Sequence, residues 1–88
     1  MAPQRSLLAD VRLRPRSSTS WDSTNIPALE EWLIARGYTP QPTRTSLEFA
    51  RLKRGEALII LWHSGSVSAQ GRDQAAAVRL LQQLEVAV

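Results

Sequence analysis

The sequence predicts an α+β fold: a single small domain ordered β-α-β-β-β-α, in which an antiparallel sheet carries two helices on one face. Three observations lead there. From Leu47 to Gly71, three runs of strand-forming residues are separated by two turn signals, Lys53-Arg54-Gly55 and His63-Ser64-Gly65-Ser66. Each signal contains a glycine, which supplies the positive φ that a tight hairpin needs. Two further segments, beginning near Asn25 and Asp73, space their apolar residues at helical period. Finally, Ser6 to Arg14 alternates, with Leu7, Ala9, Val11 and Leu13 on one side and Leu8, Asp10, Arg12 and Arg14 on the other.

In chain order, residues 1–5 read as a flexible N-terminus and Ser6 to Arg14 as a half-buried strand. Pro15, which has no N–H for the ladder, is expected to end that strand. Residues 16–24, Arg-Ser-Ser-Thr-Ser-Trp-Asp-Ser-Thr, read as a polar loop, with Trp21 tucked back onto the body. A helix follows. Thr24 or Asn25 caps it, Pro27 suits its first turn, Glu30 and Glu31 complement its dipole, and Gly37 stops it. Ile26, Leu29, Trp32 and Leu33 form its apolar stripe. Tyr38 to Thr45, with Pro40 and Pro42, reads as an extended linker into the meander.

Within the meander, Ala57 to Trp62 is apolar at every position, which suits a central strand. A turn centred on Ser64-Gly65 pairs Trp62 with Val67 and Ile60 with Ala69. Leu58, Ile60, Trp62, Val67 and Ala69 then face the helices. Ala57, Ile59, Leu61, Ser66, Ser68 and Gln70 form the open face. A one-residue change in the turn would exchange the two faces. Asp73 caps the last helix, Gln74 to about Glu85, which buries Ala77, Leu80, Leu81, Leu84 and Val88.

Composition narrows the function. Eighty-eight residues make one domain, and the absence of Cys removes disulfides and thiolate metal sites. No stretch approaches the roughly 20 apolar residues that span a bilayer. The N-terminal apolar run is broken by Asp10, Arg12 and Arg14, so neither a signal peptide nor a membrane partner is expected, and a cytoplasmic location is. The formal charge is +3 and the pI about 10.6. Arg5, Arg12, Arg14 and Arg16 face Asp10 alone in the first twenty residues, a balance that attracts phosphates. His63 is the one histidine, without Cys or carboxylate partners at metal spacing, and reads as a turn residue. No nucleophile, acid and base cluster, and no Gly-rich phosphate loop is present. An enzyme is not expected, nor any metal or cofactor.

The segment Leu61 to Gly71, Leu-Trp-His-Ser-Gly-Ser-Val-Ser-Ala-Gln-Gly, followed by an Ala-rich helix, resembles the TATA-box-binding-protein-like domain found at the N-terminus of bacterial ribonuclease HIII. The resemblance covers roughly Phe49 to Leu84. It implies a curved sheet whose helix-free face meets duplex DNA or an RNA·DNA hybrid by shape more than by base sequence. On this reading Arg12, Arg14, Arg51, Lys53, Arg54 and Arg72 would meet phosphates, and Ser66, Ser68 and Gln70 would offer hydrogen bonds to sugars or base edges. The alternative is a small protein-interaction module, a regulator or inhibitor from a phage or mobile element. It would use Ile59, Leu61 and Trp21 as its partner surface, or form a homodimer through the same face.

Overall fold

The computed structural model describes residues 11–85. The expected flexible stretch 1–5, the first half of the alternating segment (Leu7 and Ala9 included) and Val88 lie outside the described residues. The fold is α+β. β1 (Leu13–Ser17), β2 (Ser20–Ser23), α1 (Ile26–Ala35), β3 (Thr39–Gln41), β4 (Glu48–Arg54), β5 (Ala57–Trp62), β6 (Ser66–Gln70) and α2 (Gln74–Gln82) follow one another along the chain. The six strands form one sheet in the order β1-β2-β6-β5-β4-β3, every neighbouring pair antiparallel.

α1 forms where its signals stand. The Asn25 side chain accepts from the Ala28 N–H at 3.2 Å, and Pro27 occupies the first turn, where a missing N–H costs nothing. Gly37, at φ +97°, ends the run, and the Gly37 and Tyr38 N–H groups bond back to the Ile34 and Leu33 carbonyls. Ile26, Leu29, Trp32 and Leu33 are all buried. They pack with Ala77 and Leu81 of α2 onto Leu13, Trp21, Leu52, Ile59, Leu61, Val67 and Ala69 of the sheet, so both helices lie on one face.

Two additional strands occupy segments without a strong strand pattern. Residues 16–24 are not a loop: β1 continues through Pro15 to Ser17, turns, and returns as β2. Pro15 is tolerated because β1 is the outermost strand, where a ladder donor can be missing. The Tyr38 to Thr45 segment likewise is not wholly linker, since Thr39–Gln41 pairs with Arg51–Lys53 at the opposite edge. Trp21 does tuck inward: it is 1% exposed and its indole N–H donates to Glu85 at 2.7 Å. Beside it the Leu13 N–H bonds the Leu84 carbonyl, so the segment after α2 lines the outer side of β1.

The meander forms as expected, but its second hairpin has a different register. Leu61 faces Val67, Ile60 faces Ser68 and Ile59 faces Ala69. The loop is three residues, His63 to Gly65, with Gly65 at φ +102° and its N–H on the Trp62 carbonyl at 3.0 Å. That is the three-residue hairpin closed by a left-handed residue. The extra residue turns Ala57, Ile59 and Leu61 to the helices and Leu58, Ile60 and Trp62 to the open face. β5 is apolar on both sides, so side-chain polarity did not oppose either choice.

Candidate nucleic-acid interface

The sheet face opposite the helices can be read off the pairing. Residues directly across a ladder share a face, so Arg14, Asp22, Ser66, Ser20 and Ser68 lie together with Ile60, Gln70, Leu58, Arg51, Lys53, Thr39 and Gln41. Alternation with buried Val11 and Leu13 puts exposed Arg12 on the same side as Arg14. Down the middle run Leu58, Ile60 and Trp62. Ser66 and Gln70 flank them on β6, and the charged residues stand toward the two edges.

At the β1 edge are Arg12, Arg14 and Arg16. Arg16 lies 3.4 Å from Asp22, but both side chains are about half exposed, and such a pair contributes little. Toward the β3 edge, Arg44, Arg51, Lys53 and Arg72 surround a groove of about 450 Å³. Glu56 shares it, and Leu58 and Pro42 give it an apolar side. Arg51 is tied to Glu48 at 3.1 Å, with side chains only 11% and 3% exposed. The Arg44 N–H donates to the same carboxylate at 3.1 Å, holding the β3–β4 connection against the sheet.

This face therefore gathers seven cations (Arg12, Arg14, Arg16, Arg44, Arg51, Lys53, Arg72) and three carboxylates (Asp22, Glu48, Glu56). Its balance is +4 against +3 for the whole chain, so the positive charge is concentrated here. The outermost cation-bearing strands are β1 and β4, the latter next to edge strand β3; they lie four strand spacings apart, or about 19 Å at roughly 4.8 Å per spacing.

Several residues selected from sequence are placed elsewhere. Arg54 faces Ala57 and belongs to the helix side, where it lies beside Gly37, Tyr38 and Asp73. Ile59 and Leu61 are fully buried under the helices, and Trp21 is in the same core, so these three form no exposed partner surface. Ser66 is on the open face, with its hydroxyl near that of Ser64 at 3.4 Å, and Gln70 is exposed. Ser68 is on that face too, but its Oγ is shut off from solvent without a hydrogen-bond partner, so it is not presented to a ligand. His63 is an exposed turn residue, edge-on to Phe49 at 5.6 Å between ring centroids. Arg16, Arg44 and Glu48 were missed. Their pattern held no signal, because strand pairing alone brings Arg16 and the β3–β4 connection to this face.

Among the described residues no group of three or more His, Cys, Asp or Glu could hold a metal ion, and no helix is long and apolar enough to cross a membrane. No protein-family model and no curated protein matches the chain. Among solved structures, the fold is similar to the crystal structure of RNase H3 from Aquifex aeolicus. The TM-score is 0.54 at 14% identity over 66% of this chain. The likeness is one of fold. The chain spans only about a fifth of that protein, 22% of its length.

Proposed function

We propose that the protein is a non-catalytic nucleic-acid-binding domain that lays the helix-free face of its sheet on duplex DNA or an RNA·DNA hybrid. The observation that carries this reading is the concentration of charge: cations at both edges of one open face, with neutral and aliphatic residues between. Each cation that neutralises a phosphate releases counterion, so such a face gains affinity without any base contact. Cation-bearing strands about 19 Å apart can meet phosphates on opposite walls of a groove roughly 12 Å wide. The likeness of fold to RNase H3 supports nucleic-acid binding, and the resemblance to the TATA-box-binding-protein-like domain implies the helix-free face.

Duplex is favoured over single strand by a further observation. Among the described residues Trp62 is the one aromatic on the open face, and it is half-buried. Proteins that hold single strands stack successive bases on several aromatic rings. Here shape and backbone contacts are left to do the work, with Ser66 and Gln70 in reach of sugars.

Fluorescence anisotropy with labelled DNA duplex, RNA duplex, hybrid and single strands, each at low and near-physiological salt, tests the reading. The expected result is duplex affinity on the order of micromolar at low salt, falling steeply as salt rises. Absence of binding at low salt, where even non-specific attraction shows, would overturn it and direct attention to a protein partner.

A further inference from the structure

The groove near the β3 edge differs from the rest of the open face. Its cations come from three places in the chain: Arg44 from the β3–β4 connection, Lys53 from β4, and Arg72 from the turn after β6. None of these three has an ion-pair partner among the described residues. Arg51 also lines the groove, but Glu48 neutralises it. Glu56 is the opposing carboxylate in the lining, so the groove holds a balance of two positive charges. At about 450 Å³ it falls within the range of small-ligand sites.

Two charges match a phosphomonoester, which carries about −1.5 to −2 at neutral pH, better than a single phosphodiester with its one charge. Leu58 and Pro42 supply an apolar wall beside the cations, as a nucleoside attached to the phosphate requires. Glu48 has a positioning role. By accepting from the Arg44 N–H and from Arg51 at once, it fixes the connection that carries the Arg44 guanidinium.

The geometry points to a site for a nucleoside phosphomonoester, with Arg44, Lys53 and Arg72 on the phosphate and Leu58 and Pro42 against the sugar or base. The phosphate is either the end of a nucleic-acid strand or that of a free mononucleotide. Only the first source rests on the proposed function.

The test is a titration of the isotope-labelled full chain with adenosine 5′-monophosphate, followed by amide NMR shifts, with adenosine as the control. Shifts at residues 43–44, 53 and 71–72 are expected with the monophosphate and not with adenosine. Lys53→Ala and Arg72→Ala should each weaken binding about tenfold, the loss of roughly one charge-assisted hydrogen bond, while the unfolding midpoint stays put. No shifts, shifts away from these residues, or undiminished affinity in both variants would overturn the site, whether or not duplex binds. A second arm compares labelled duplexes ending in 5′-phosphate and 5′-hydroxyl. Tighter binding of the phosphorylated end identifies the strand terminus as source. Equal affinity alongside monophosphate binding identifies the free mononucleotide. Charge changes at Arg12 and Arg14, at the other edge of the face, report on duplex binding separately.

Discussion

Glu48 accepts from Arg51 Nη1 at 3.1 and 3.3 Å on the sheet face that no helix covers. An ion pair so little exposed is unusual on an open face. Its cover comes from the β3–β4 connection, which the same carboxylate holds through the Arg44 N–H. The register shift between Glu48 and Ala50 makes this possible. It sets Glu48 opposite Trp62, on the side where Arg51 already lies.

Removing Glu48 should therefore cost more than a surface charge. Glu48→Ala leaves the Arg51 guanidinium buried without a partner, a loss of about 3 kcal/mol. Urea unfolding should show a lower midpoint with unchanged slope. An additional Arg51→Met substitution should recover part of the loss, because the stranded charge is then gone. A Glu48→Ala variant as stable as the parent would mean the pair is not sequestered.

Reversing charge at the β1 edge should weaken nucleic-acid binding. With Arg12→Glu and Arg14→Glu together, duplex affinity is expected to fall and the log–log salt slope to become shallower by about 2, near 0.9 for each phosphate no longer neutralised. Arg54→Glu, on the helix side, should leave the slope within error of the parent. Equal slopes in all three proteins would remove the β1 edge from the interface.

Neighbouring residues of β5 should respond oppositely to lysine. Ile59 is fully buried beneath the helices, so Ile59→Lys buries an unpaired charge and should abolish cooperative unfolding. Leu58 faces the open side, half-buried, where a lysine stem can lie along the surface with its ammonium in water. Leu58→Lys should stay folded by circular dichroism and melt cooperatively. The reverse outcome would restore the register expected from a two-residue turn.

Glycine at position 71 should be far less replaceable than at 55. Both have positive φ, +97° and +60°. A Cβ on Gly71 would press on the Glu56 carbonyl oxygen, which accepts from the Asp73 N–H, whereas one on Gly55 meets nothing within 4 Å. Gly55→Ala should cost about 1 kcal/mol from the left-handed backbone alone. Gly71→Ala should cost clearly more, seen as a melting temperature lower by several degrees than that of Gly55→Ala.

Stability should decline at alkaline pH in a way that depends on Tyr38. Burial pushes its phenol above the ordinary 10.0, with nearby Arg54 opposing and Asp73 adding to the rise. A folded-state pKa raised above the unfolded value favours the neutral phenol in the native protein. The contribution is complete below about pH 10 and is lost as pH climbs through the raised value. Tyr38→Phe should flatten the decline relative to the parent. Superimposable profiles would show that the phenol is not the group responsible.

The sequence by itself determined the α+β class, both helices, the Asn25 cap of α1, the three meander strands, and the inward placement of Val67 and Ala69; Asp73 stands at the start of α2, but its side chain makes no capping hydrogen bond. Each of these rests on local chemistry: an Asn cap, a Pro in the first turn, a Gly where φ must be positive, or a period that separates polar from apolar residues. It also singled out Arg12, Arg14, Arg51, Lys53, Ser66 and Gln70, which lie on the open face. Only the tertiary structure decided which half of β5 faces the helices, because Ala57 to Trp62 is apolar on both sides and a single loop residue sets the choice. It likewise decided that Ser20–Ser23 and Thr39–Gln41 are strands, since these polar segments extend by pairing with a sheet edge rather than from their own pattern. The groove formed by Arg44, Lys53 and Arg72 follows from that pairing, for residues so far apart in the chain meet only when the sheet closes.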